Sequence, residues 1–305
     1  MRRHLISILG LISILTACQS EPNGKKNERT LILTTTGMLG DAVKNLCGPS
    51  AEVKVMMGPG VDPHLYKASQ GDMQLISEAD IIVYNGLHLE GKLVEILEKT
   101  ARTKPVIVAG EFIDKSQVLV SENAGSAPDP HIWMNVDLWS AAISGVADTL
   151  EKLIPANAEQ IKANADTYSA KLGRLNAEID SLIHQIPESG RVLITSHDAF
   201  RYFGEAYSIE VKGLQGISTV SEYGLRDVSD MANLIIDRKI KSVFIETSVS
   251  SKSLQSVIST CQAKGWNVKI GGTLYSDSMG EDGTPDGTYE GMLRHNALTI
   301  FEALK

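Results

Sequence analysis

Cysteine is scarce. Three occur in 305 residues, Cys18, Cys47 and Cys261, too few for a disulfide scaffold and too widely spaced for a zinc ribbon. Basic residues are outnumbered 29 to 37, a formal charge of −8, so no excess of Lys and Arg exists to neutralise phosphates, and nucleic acid is excluded as the expected partner. The same balance favours a cationic ligand. Long apolar runs are also missing: residues 5–15 fall well short of the roughly 20 that a bilayer-spanning helix needs. What remains, 43% hydrophobic and 22% charged, is the composition of a globular protein with ample core, and the length suits two lobes.

The start carries Arg2-Arg3, the short apolar stretch and then Leu15-Thr16-Ala17-Cys18. Charged and apolar regions in that order predict an export signal over residues 1–17. Small residues before a cysteine resemble the lipobox of bacterial lipoproteins, in which Cys18 becomes the lipid-bearing N-terminus and more than one acyl chain is needed to hold the protein on a membrane. Cleavage removes two arginines and no acid, taking the charge to −10. Polar residues 18–29 then read as a flexible tether.

From residue 30 onward, short β-branched runs alternate with helical stretches, which predicts an α/β fold built on parallel sheets. Strands are expected at 31–35, 53–57, 81–84 and 105–108, with helices at 40–47 and 93–100, making a lobe over 30–155. A second series has strands at 192–195, 209–212, 242–246 and 268–270 and helices at 199–206, 228–238, 253–264 and 289–304, making a lobe over 188–305. Residues 157–185 contain no Pro and a single Gly, Gly173, follow Pro155 and precede Pro187. They predict one long helix, within a connecting segment 156–187, either a rigid spine between the lobes or half of a helical hairpin packed on one lobe.

The histidines carry the chemistry. Ten prolines and seven histidines in 305 residues predict about 0.23 Pro-His pairs by chance. The chain has two, each preceded by Asp: Asp62-Pro63-His64 and Asp129-Pro130-His131. Proline stiffens the loop that presents each ring, which suits a ligand holding a metal at fixed distance. His64 follows one expected strand, His197 follows another, and Asp277 reaches the same edge from the second lobe. Ligands of open α/β sheets collect beyond those carboxyl ends, so three imidazoles and a carboxylate converge between the lobes. That donor set suits Zn2+ or Mn2+ rather than Ca2+ or Mg2+. Imidazoles of ordinary pKa, about 6.5, further predict that metal affinity falls steeply below neutral pH.

The segments GPGVDPHLYKAS, DPHIWMN, TSHDAFRYFGEAY, GISTVSEYGLRDV, VFIETSVS and GGTLYSDSMG resemble, in order and spacing, the signatures of the metal-binding receptors of ATP-driven zinc, manganese or iron importers. The resemblance spans residues 30–305. It implies two α/β lobes joined by a long helix, His64 and His131 as ligands from the first lobe, and His197 and Asp277 from the second. It also implies one divalent metal ion, Zn2+ or Mn2+ and alternatively Fe2+, as transported ligand, an ABC permease as partner, a monomeric chain and a place in the bacterial envelope. His197 puts the chain with the branch that has three histidines and an aspartate, whereas the absence of histidine from residues 110–130 departs from dedicated zinc receptors, which carry a histidine-rich loop there.

Other residues receive plainer readings. Glu246 ends an expected strand on the binding edge and is a candidate for supporting a ligand; Trp133 beside His131 is a second such candidate, expected to act by packing rather than by touching the cation. His88 is expected to be structural, His184 and His295 to lie at the surface, and Cys47 and Cys261 to be buried free thiols. A zinc hydrolase would need an open coordination position and a general base, and no His-Glu-x-x-His or comparable pair occurs, so no catalysis is expected. An adhesin would need only an exposed surface, on which the sequence is silent.

Overall fold

The computed structural model describes residues 29–121, 127–221 and 223–305. The expected export signal, Cys18 and nearly all of the tether lie outside the described residues. In the first sheet β1 (Thr30–Thr34), β2 (Ala51–Val55), β3 (Ile81–Tyr84) and β4 (Val106–Val108) are all parallel in the order β2-β1-β3-β4. Helices α1 (Gly37–Cys47), α2 (Gln70–Glu78) and α3 (Val94–Thr100) connect them. A two-stranded antiparallel ribbon, β5 (Val120–Ser121) and β6 (Ala127–Pro128), follows.

Then come α4 (Val136–Leu153) and the long α5 (Ala158–Ile183), 26 residues or about 39 Å. The second sheet contains β7 (Val192–His197), β8 (Glu210–Gln215), β9 (Ser242–Glu246) and β10 (Lys269–Leu274), again parallel, in the order β10-β9-β7-β8. Helices α6 (Arg201–Tyr207), α7 (Leu225–Asp237), α8 (Lys252–Ala263) and α9 (Tyr289–Leu304) complete the chain. Both sheets therefore repeat one strand order, with a topological switch beside β1 in one and beside β7 in the other. Open α/β sheets bind their ligands in the crevice at such a switch.

Both faces of the inner strands β1, β3, β7 and β9 are largely buried, which is why they read as mainly apolar runs without alternation, whereas the edge strands β2, β8 and β10 carry exposed residues. Leu33, Ile82 and Tyr84 face an outer cluster of the first sheet, and Ile194 and Val243 face one of the second. Ile32, Val83, Leu193 and Phe244 instead join a single core that runs from one sheet to the other through α1, α4, α5 and α9. Along α5 the buried positions Ile161, Tyr168, Leu172, Leu175, Ile179 and Ile183 form one stripe. Ser140 meets Ser169 and Asp137 meets Asn176, so α4 and α5 form an antiparallel hairpin. The same α5 packs on α1 and α9. The connecting rod expected from sequence is therefore present, and its hairpin with α4 is not packed on one lobe alone, since α5 touches helices beside both sheets.

Several expected boundaries shift. The strand expected at 268–270 continues to Leu274 through Gly271-Gly272, and His197 is the last residue of β7 rather than lying beyond it. The two glycines let α9 approach β10: a methyl on Gly272 would sit 2.3 Å from the Thr299 side chain and one on Gly271 2.8 Å from Ala303. Gly272→Ala is accordingly expected to cost about 1–3 kcal/mol of stability, seen as a melting temperature several degrees lower. Cys47 and Cys261 are buried free thiols. Among the described residues no helix is long and apolar enough to cross a membrane.

Candidate metal centre

Four segments bring one side chain each to the crevice. His64 comes from the loop between β2 and α2, His131 from the turn after β6, His197 from the end of β7, and Asp277 from three residues beyond β10. One ligand atom from each lies within 4.8 Å of the others, and none of the four residues is more than 7% exposed. The His131 Nε2 atom is 3.3 Å from that of His64 and 3.4 Å from that of His197. Asp277 Oδ1 is 3.4 Å from His131 Nε2, and Oδ2 is 3.3 Å from His197 Nε2 and 3.8 Å from His64 Nε2. A tetrahedron with metal–nitrogen bonds of about 2.0–2.1 Å has edges of roughly 3.3–3.4 Å; four of the spacings match that, and the His64–Asp277 one, at 3.8 Å, is wider.

The proton positions follow from the partners. His131 Nδ1 lies 2.7 Å from Asp129 Oδ1, and His197 Nδ1 faces Glu246 Oε2. A carboxylate only accepts, so each Nδ1 carries a proton, and each inward-facing Nε2 is the position that either a metal ion or a second proton takes. Glu246 also accepts the His197 backbone N–H at 2.9 Å, and Asp129 that of His131 at 3.1 Å. Neither oxygen of the buried Asp277 carboxylate has a hydrogen-bond donor. An anion so placed, facing three ring nitrogens, needs a cation.

Protons meet that need when metal is absent. For His131 burial acts downward, but the Asp129 and Asp277 carboxylates outweigh it and lift the ring to about 9. His197 is raised well above its ordinary value in the same way, by Glu246 and Asp277 against burial. Burial would raise Asp277, yet the His197 and His131 rings hold it well below the carboxylate range. His64 goes the other way: burial pushes it down to about 3, the neighbouring rings reinforcing this and Asp277 opposing it.

His131 thus binds its proton more tightly folded, at about 9, than unfolded, at about 6.5, and the resulting stability is lost as pH rises through that window. Metal-free protein is expected to melt progressively lower between pH 6.5 and 9. Thermal unfolding in excess chelator checks this, and His131→Gln should weaken the dependence, leaving the part that His197 contributes.

Two supporting residues named from sequence are at the site. Glu246 orients His197 as described. Trp133 is fully buried with its ring edge toward His131, centroids 5.3 Å apart, and its Nε1 donates to Ser276 O at 2.8 Å, tying the His131 turn to the Asp277 loop. His88 is exposed in a left-handed backbone conformation, φ 65°, and His184 and His295 stand away from the site against Asp180 and Asp286. Sequence reasoning missed the roles of Asp129 and Asp62, the motif acids themselves, although their fixed place two residues before each histidine was the available signal.

It also missed Glu90. This fully buried acid accepts from Thr35 Oγ1 at 2.8 Å and from the Asn85 and Gly86 N–H groups at 2.6 and 3.1 Å. It braces the loop whose Gly91 lies against the His64 carbonyl, where a Cβ would come within 3.0 Å.

Comparison with known proteins places the chain. The family model described as "Zinc-uptake complex component A periplasmic" matches residues 32–303. The chain is 45% identical over its full length, and that of the relative, to the manganese-binding lipoprotein MntA of Bacillus subtilis. It is 42% identical to the zinc-binding protein TroA of Treponema pallidum, over 97% of this chain and 96% of that one. A solved structure of periplasmic TroA from Treponema pallidum superposes with a TM-score of 0.88 at 44% identity, covering 90% of this chain and 99% of the other. With nearly the whole chain matched, the fold shared and the donor cluster in place, the protein belongs to the zinc-uptake complex component A (ZnuA) family of periplasmic proteins.

Proposed function

We propose that the chain is an extracytoplasmic receptor that captures one divalent transition-metal ion and delivers it to the permease of an ABC importer. His64, His131, His197 and Asp277 are its ligands, with Glu246 and Asp129 orienting two of the rings. The observation that carries this reading is the convergence of four buried donors from four separate segments, with both Asp277 oxygens lacking any donor. Four protein ligands around one ion suit capture and release rather than turnover, since catalytic zinc keeps a position for water.

Zn2+ and Mn2+ are the candidates. Relatives named for manganese and for zinc stand at 45% and 42% identity, so overall likeness does not choose between them, and affinity order alone favours Zn2+ at such a site. In the proposal residues 1–17 direct export, Cys18 carries lipid and tethers a monomeric receptor at the membrane, and lobes over 30–155 and 188–305 flank the connecting segment 156–187. Support for the anchor comes from the lipobox-like sequence and from relatives named as lipoproteins.

Purification without added metal followed by metal analysis tests the reading directly. Binding to the native state at a thousandfold excess over Kd stabilises by about 4 kcal/mol, so saturating Zn2+ or Mn2+ is expected to raise the melting temperature by roughly 10 °C over a chelated sample. Chelated and loaded samples that melt together would sink the assignment.

A further inference from the structure

We propose that Thr219 is a positioning residue for the His64 ligand and that its hydroxyl sets how fast bound metal leaves; this rests on the metal-receptor reading above. The two Asp-Pro-His motifs look alike in sequence but are wired differently. Asp129 holds His131 twice, at the backbone N–H and at ring Nδ1. Asp62 Oδ1 accepts only the His64 backbone N–H, at 2.9 Å, and among the described residues no carboxylate holds the His64 ring from behind.

The other Asp62 oxygen is taken by Thr219 Oγ1 at 2.6 Å. Asp62 belongs to the loop after β2 of the first sheet, whereas Thr219 lies between β8 and α7 of the second and is only 9% exposed. His64 is therefore anchored by a charge-assisted hydrogen bond that spans the two sheets, and it is the least secured of the three rings. Losing that bond leaves Asp62 held only through the His64 N–H, and leaves Gly60 N–H to Ser278 Oγ, at 3.0 Å, as the loop's remaining hydrogen bond to the second lobe among the described residues, so the loop that presents His64 is loosened. The ion then loses its hold on one ligand before the others.

The effect belongs to dissociation. Entry depends on diffusion into the crevice, while escape requires a ligand to swing away, and a hydrogen bond to a charged group is worth about tenfold or more in an equilibrium. The test uses the mature chain loaded with Zn2+ and mixed in stopped flow with a chromophoric chelator. Thr219→Val is expected to release Zn2+ about tenfold faster than the parent, with association within about twofold. Thr219→Ser, which keeps the hydroxyl, should release within about twofold of the parent.

Circular dichroism confirms folding, and Thr219→Ala carries the same expectation should the valine variant misfold. Release unchanged in both hydroxyl-free variants, or equally fast in the serine variant, overturns the proposal while leaving the receptor reading intact. A parent protein that binds no Zn2+ overturns both.

Discussion

Asp277→Ala is expected to weaken metal binding by roughly a thousandfold or more, against the 10–100-fold typical of losing an outer partner, which is the range expected for Glu246→Ala. Asp277 supplies the only anionic donor among the four, both of its oxygens face the ring nitrogens, and neither has a hydrogen bond to fall back on. Glu246 touches His197 through Nδ1 and the backbone, so its loss leaves all four donors present but one ring unsteered. Long-range charge alone would make the two variants alike. Titration calorimetry on both, with circular dichroism as a folding control, separates the cases, and a larger loss at Glu246 would move the fourth ligand to the end of β9.

The second large effect is on protons. At pH 7 the metal-free centre carries protons on His131, raised to about 9, and on His197, raised well above its usual value, while His64 at about 3 is already neutral. A divalent ion displaces both protons, so affinity should climb about a hundredfold per pH unit across the neutral range and fall by about 10⁴ between pH 7.5 and 5.5. Calorimetry in buffers of different ionisation enthalpy should report about two protons released per ion. Release near zero at pH 7 would contradict the arrangement of carboxylates behind the two rings. Sequence alone predicts three titrating imidazoles near 6.5; burial removes His64 from the count, and the carboxylates move the other two upward.

That difference shows where the sequence was legible. Two Asp-Pro-His tripeptides and a histidine and an aspartate at strand ends are local patterns, and local patterns locate donors. The parallel strand runs were legible for a related reason, because strands buried on both faces leave unbroken apolar segments such as Ile81–Tyr84. The wiring behind the donors is not local. Glu246 lies 49 residues from His197 and Thr219 157 residues from Asp62, so no window along the chain contains either pair. Helices α2 and α4 also escaped the sequence reading, although Ser69 and Asn135 are side-chain N-caps of a readable kind. Gly145 inside α4 blurs that pattern, since it is there to seat Phe112, against which a Cβ would come within 2.2 Å.

The seam between the sheets has a mechanical consequence. A helix packed along its length on α1, α4 and α9 is a beam clamped at both ends, and a clamped beam makes a poor hinge. Swinging one sheet away from the other would shear the Tyr289 hydroxyl from the Trp133 carbonyl, Trp133 from Ser276 O, and the Tyr289 N–H from Asp41, all in or beside a shared core. Yielding a single loop at the crevice mouth breaks far less. The compliance of this receptor is therefore concentrated at its rim, and a partner extracting the cargo has only to pry there.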